Sequence, residues 1–147
     1  KWQKHELARE ESNNKRIVEG VTISFSSSLN GTEICGNSHI SVTLNGNGEV
    51  LNVDSNMRSF SGSEKADLIP VKDAINEIKE GNVPLYFEGT RRISKLNIER
   101  LTVKYYSQFG SSDTDCILQP IYVFEGTAAD NDNTEEPFYC YVQANKQ

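Results

Sequence analysis

The sequence predicts an α+β fold: antiparallel sheet with one main helix packed on one of its faces. Three observations carry this expectation. Apolar residues alternate with polar ones on both sides of a single stretch with helical spacing. Turn residues, above all Asn-Gly, separate the alternating runs. The order is strands, then one helix, then strands, which layers a helix on a sheet instead of weaving a parallel one.

The polar opening stretch, residues 1–16, holds one Trp and one Leu and reads as a frayed helix or an approach segment to a membrane anchor. A β part is expected over 17–66. Val21, Ile23 and Phe25 alternate with polar residues, and so do Ile40, Val42 and Leu44. Ser26 to Gly36 between them reads as a loop. NGNG followed by EVLNV marks a hairpin, because Asn and Gly tolerate positive φ. RSFSGSEK follows as a turn region. Helix plus antiparallel sheet is expected over 67–147, joined to the rest as one compact unit.

The helix lies in IPVKDAINEIKEGN, where Val71, Ala74, Ile75 and Ile78 share one face. Pro70 suits its first turn and Gly81 its left-handed C-terminal cap. Further on, Leu101, Val103 and Tyr105 share one parity while Leu96 and Ile98 have the other. The register must therefore reset near Glu99 and Arg100, by a bulge or a break. The runs ILQPIYVFEG and PFYCYVQ flank TAADNDNTEE as a hairpin with a long acidic tip. Pro120 reads as an entry mark, with the ladder starting around Ile121 and ending at Gly126. Ile117, Ile121 and Val123 alternate with Leu118, Tyr122 and Phe124, so this strand is apolar on both faces.

Length and composition suit one domain: 147 residues, 36% apolar and 24% charged. A net charge of −6 argues against nucleic acid as a partner. Five bases (Arg91, Arg92, Lys95, Arg100, Lys104) precede seven acids (Asp113, Asp115, Glu125, Asp130, Asp132, Glu135, Glu136), a pattern of mutual compensation between neighbouring strands. Cys35, Cys116 and Cys140 form no CxxC and allow at most one disulfide, whose pairing the spacing leaves open. Cys140, between tyrosines, reads as a buried small hydrophobe. The first residue is Lys, which suits a piece of a longer precursor.

Catalytic signatures are missing. His5 and His39 lie far apart, and Ser38 beside His39 points to the opposite face of a strand, so the two form no relay. No P-loop, GxGxxG or HExxH occurs. Asp130, Asp132, Thr134 and Glu136 offer alternate oxygen donors for Ca²⁺, but without an EF-hand's glycine and distal glutamate they read as a solvated tip. No cofactor and no metal are expected. The sequon Asn30-Gly31-Thr32 carries little weight. Tyr86, Phe87, Tyr106 and Tyr139 are candidate exposed aromatics.

The C-terminal half also has a recognisable order. Ala74, Ile75, Ile78 and Gly81 are followed by Leu101, Tyr105 and Tyr106. Next come Leu118, Pro120, Tyr122, Phe124 and Gly126, and finally Phe138, Tyr141, Val142 and Ala144. This order resembles the extracytoplasmic domains of the bacterial YycH/YycI type, within the wider PepSY-like group, over residues 40–147 and most clearly from 70 onward. The NGNGEVLNV hairpin is similar to a recurring element of these proteins. The resemblance implies a location outside the cytoplasmic membrane, by an anchor absent from this chain, in Gram-positive-like bacteria. It also implies action by binding another envelope or membrane protein, such as a sensor kinase or a protease. The expectation is thus a non-catalytic binding or regulatory domain. The alternatives are a protease-inhibitory propeptide-type domain and a small envelope hydrolase using paired carboxylates.

Overall fold

In the computed structural model, the described residues form ten strands and one short helix in the order β1 (Trp2–Glu10), β2 (Arg16–Ser26), β3 (Ser28–Leu29), β4 (Thr32–Gly36), β5 (His39–Asn45), β6 (Val50–Ser55), α1 (Val71–Lys79), β7 (Leu85–Phe87), β8 (Ile93–Ser107), β9 (Leu118–Asp130) and β10 (Glu135–Gln143). The structure describes residues 2–10, 16–36, 38–57, 60, 65–87, 93–107 and 117–145. Most of the expected RSFSGSEK turn, together with Arg91, Arg92, Asp113, Asp115 and Cys116, lies outside the described residues. The class is α+β-like, dominated by antiparallel sheet.

The chain divides into two compact units, residues 1–62 with 107–117 and residues 63–106 with 118–147.

The first unit holds an antiparallel sheet in the order β1-β2-β5-β6. Residues 2–10 thus form a strand where a frayed helix was expected. Arg16–Ser26 offers a long partner, and β1 pairs along it from Trp2↔Phe25 to Glu10↔Arg16. Val21, Ile23 and Phe25 lie opposite Leu44, Val42 and Ile40, so all six share one face. Val53 extends that row across Val42. The other face is polar, where Thr22 Oγ1 and Thr43 Oγ1 hydrogen-bond at 3.0 Å and His39 Nε2 meets Asp54 Oδ2 at 3.1 Å.

The NGNG signal is a hairpin. Asn45 N–H donates to Glu49 O at 2.9 Å and Gly48 N–H to Asn45 O at 3.0 Å, with Gly48 at φ 83°. A three-residue loop of this kind needs one left-handed residue. The expected loop 26–36 instead contains the β3–β4 hairpin. Asn30 and Gly31 take positive φ (50° and 83°) between Leu29 and Thr32, which pair. That is the two-residue turn whose twist matches its strands.

The second unit's sheet has the order β8-β9-β10-β7. Helix α1 packs on the face carrying Tyr122, Phe124 and Ala128 of β9 and Phe138, Cys140 and Val142 of β10. Ala74 and Ile78 are its buried residues, while Val71, expected on that face, is exposed at the entry turn. Pro70 stands one place before the first helical residue, as the N-cap. At the other end Gly81 has φ 74°, its N–H reaches Ile78 O at 3.2 Å, and Asn82 N–H reaches Glu77 O at 3.0 Å. This pair of bonds is the Schellman cap, which satisfies carbonyls the helix leaves open.

Tyr122 Oη donates to Ile69 O at 2.8 Å and Ile69 N–H to Ala144 O at 2.7 Å, so both last strands hold the helix entry. β9 is buried on both faces, with Ile121 and Val123 on one and Tyr122 and Phe124 on the other. It is longer than expected. The β9–β10 ladder runs from Ile121↔Gln143 to Ala129↔Glu135, and Pro120 adds its carbonyl as acceptor for Ala144 N–H at 2.9 Å. Most of the ten-residue acidic tip therefore belongs to the strands. Ala128 and Ala129 are small enough to be buried there, and Asp130 Oδ1 accepts the N–H groups of Asp132 and Thr134 at 2.9 Å each. With Asn133 at φ 59°, that carboxylate closes a tight turn.

Candidate functional site: a tyrosine cluster beside a charged concavity

Alternation along β10 places Phe138, Cys140 and Val142 toward the helix and Pro137, Tyr139 and Tyr141 on the opposite face. The short strand β7 pairs Tyr86 with Tyr139, so the tyrosine of each strand faces the same way. The Tyr86 and Tyr139 rings stack with centroids 5.1 Å apart and planes 14° apart. Tyr141 closes the cluster at 5.5 Å from Tyr139 and 5.8 Å from Tyr86. Tyr86 is 42% and Tyr139 44% exposed, and Tyr141 is half-buried. Directly opposed aromatic pairs hold each other's rotamers and contribute about 0.5–1.5 kcal/mol beyond area burial. The cluster is therefore a platform of mutually packed rings, two of them open to solvent.

Next to it lies a concavity of about 480 Å³, lined by Glu99, Arg100, Glu125, Gly126, Pro137 and Tyr139. β8 and β9 run in opposite directions across its floor. Ser94 Oγ donates to Ala129 O at 3.1 Å, and Arg100 Nε meets Glu125 Oε2 at 3.2 Å. The register reset expected near Glu99 and Arg100 occurs within one continuous strand. Leu96, Ile98 and Leu101 all pack against the core, and both intervening side chains line the concavity. Gly126 makes that possible, since a Cβ there would run into the Asn97 carbonyl. The main chain of β8 presses onto β9 at this point.

Arg100 neutralises Glu125, and Glu99 is open to water. Exposed carboxylates of this kind recognise charge and hydrogen-bond donors. The Arg100–Glu125 pair is one contact between the basic and acidic segments; Arg91, Arg92, Asp113 and Asp115 lie outside the described residues.

Of the expected aromatics, Tyr86 and Tyr139 come together, Phe87 packs against the core and Tyr106 is half-buried. The third member, Tyr141, entered the sequence reading only through the resemblance. Its spacing of two from Tyr139 was the signal for a shared face. His5 sits in β1 opposite Thr22, away from His39 in β5. Ser38 is buried and shares a 2.8 Å hydrogen bond with Ser27 Oγ. Asp130 spends one oxygen on its turn, and among the described residues no group of three or more His, Cys, Asp or Glu is placed to hold a metal. Cys140 is fully buried, and burial pushes its thiol up to about 11. No described helix is long and apolar enough to cross a membrane.

Compared with protein-family models, curated proteins and solved structures, the chain matches none, so the resemblance to the YycH/YycI and PepSY-like domains rests on the residues quoted above.

Proposed function

We propose that this chain is a non-catalytic binding or regulatory domain of the bacterial cell envelope, acting outside the cytoplasmic membrane by protein–protein contact. The observation that carries the reading is the stacked, open cluster of Tyr86, Tyr139 and Tyr141. Tyrosine is enriched at the centres of interfaces because it offers large area and a hydroxyl at small entropic cost. Rings already held in place lose little freedom on docking. The charged concavity beside them supplies Arg100, Glu99 and Glu125 as rim groups that fix orientation.

The YycI/PepSY-like part of the proposal draws support from what the matching residues do. Ala74, Ile78, Tyr122, Phe124, Phe138, Val142 and Ala144 build one core, Gly81 caps the helix and Gly126 admits β8. A shared pattern most of whose members serve one helix-on-sheet packing is a pattern of fold, while Tyr141 belongs to the opposite face, by which we propose an envelope protein is read.

The test is photo-cross-linking in intact producing cells. A benzophenone side chain at Tyr139 or Tyr86 is expected to give a discrete adduct, and the same group at exposed Lys79 none. A sensor kinase in the adduct supports the regulatory form. A secreted protease whose cleavage the domain slows supports the propeptide-type alternative. Absence of any adduct at the tyrosines across several growth conditions overturns the reading.

A further inference from the structure

We infer that the concavity beside the tyrosine cluster receives one arginine side chain of the docked protein, held by the ring of Tyr139 and the carboxylate of Glu99. The inference rests on the docking reading above and names the chemistry that the partner brings to it. Charge points to the occupant. The walls carry two carboxylates, Glu99 and Glu125, and one base, Arg100. Arg100 Nε meets Glu125 Oε2 at 3.2 Å, which leaves Glu99 as the uncompensated charge among the described residues. The hydrogen bonds to Glu99 come from neutral donors, Asn97 Nδ2 at 3.4 Å and Thr127 Oγ1 at 3.5 Å, and both reach Oε1. These long bonds aim the carboxylate without neutralising it, and Oε2 is left for a further donor.

The second wall is aromatic. In the order β8-β9-β10-β7, Tyr139 stands between Tyr86 of β7 and Glu125 of β9, each its direct cross-strand neighbour. One face of its ring is taken by the stack on Tyr86, so the other turns toward β9 and the concavity that Tyr139 lines. Pro137, two residues earlier on the same face of β10, continues that wall without charge. The register reset in β8 completes the arrangement. It brings two consecutive side chains, Glu99 and Arg100, to one concavity, so the carboxylate that Arg100 leaves unpaired stands beside the one it neutralises.

A lone carboxylate and an open tyrosine ring in one concavity select a flat cation. A guanidinium lays its plane on a ring and turns its N–H fork to a carboxylate at the same time. An ammonium is a compact, strongly hydrated charge that does neither as well. A neutral side chain leaves Glu99 uncompensated, and an acidic one is repelled. The volume, about 480 Å³, is that of a small-ligand site and admits a whole side chain.

The experiment titrates the ¹⁵N-labelled chain with the peptide acetyl-Gly-Arg-Gly-amide. The control peptide carries citrulline, which keeps the shape of arginine and lacks its charge. The arginine peptide is expected to shift the backbone amides of Glu99, Arg100, Gly126 and Tyr139 with a Kd on the order of 1–10 mM, as for any single side chain. The citrulline peptide should bind roughly tenfold more weakly. Glu99→Gln and Tyr139→Leu, at exposed positions, should each weaken the arginine peptide roughly fivefold with unchanged far-UV circular dichroism. In intact cells, Glu99→Gln should lower the benzophenone adduct at Tyr86 by a similar factor. Absence of shifts at roughly 50 mM arginine peptide overturns the inference. So does equal binding of the two peptides, or arginine binding indifferent to both variants in folded protein. An adduct at Tyr86 undiminished by Glu99→Gln also overturns it, while the docking reading stands. Arginine preference in the titration with no adduct in cells upholds the arginine site and removes the docking reading.

Discussion

Gly126 offers the sharpest test of how the second unit is built. A Cβ at this position would overlap the Asn97 carbonyl oxygen and lie 3.0 Å from Asn97 C and 3.1 Å from Glu99 N. Every obstacle is main chain, so no side-chain rotation relieves it. Overpacking of this kind costs about 1–3 kcal/mol and more when backbone must shift. Alanine returns about 0.4–1 kcal/mol by stiffening the unfolded chain. Gly126→Ala should therefore lose roughly 2 kcal/mol net, taking the upper end of the overpacking range because the strand itself must move. In a domain of 60–100 residues that lowers Tm by roughly 8–16 °C. Urea unfolding followed by near-ultraviolet circular dichroism of the tyrosines measures it. The same variant in an Asn97→Ala background should lose as much, because the carbonyl remains. Gly126→Ala with unchanged stability, or a loss that Asn97→Ala relieves, would refute the reasoning.

Tyr122→Phe removes the donor to Ile69 O and is expected to cost about 1–2 kcal/mol in urea unfolding, since the carbonyl loses a partner in a part-buried site. Asp130→Ala frees two amides of the hairpin turn and should cost about 1–2 kcal/mol, with faster amide exchange at Asp132 and Thr134. Cys140 should resist alkylation at pH 8 until the protein is unfolded. Its thiol stays protonated in the fold to about 11 against 9.0 unfolded, so stability is lost as pH rises between those values, by up to about 2–3 kcal/mol. Cys140→Ala should flatten that loss.

What the sequence made legible was local. The helix, its glycine cap and the Asn45–Glu49 hairpin each depend on residues within a few positions of one another. The register reset at Glu99 and Arg100 was also readable, because parity on either side forces it. The β1 strand was not. KHELARE has no alternation of its own, and it becomes a strand through β2, a partner that propensity does not see. The β3–β4 turn was hidden by two-residue strands too short to show a period. The acidic tip misled for a related reason: Thr127 to Asp130 look like loop residues, and only the ladder to β10 extends them. For the site, exposed Tyr86 and Tyr139 were named, but their stacking depends on a pairing of β7 with β10 that joins distant parts of the chain.

That pairing sets an order of events. β10 is the last strand of the sequence, yet in the sheet it lies between β9 and β7 and carries much of the core beneath the helix. The helix can pack on β9 without it, but β7, which among the described residues pairs with β10, has no place in the sheet until residues 135–143 are there. Contacts between remote segments also form slowly, because the intervening loop must be closed first. β7, and with it the Tyr86–Tyr139 stack, therefore joins the second unit's sheet only once β10 lies beside β9.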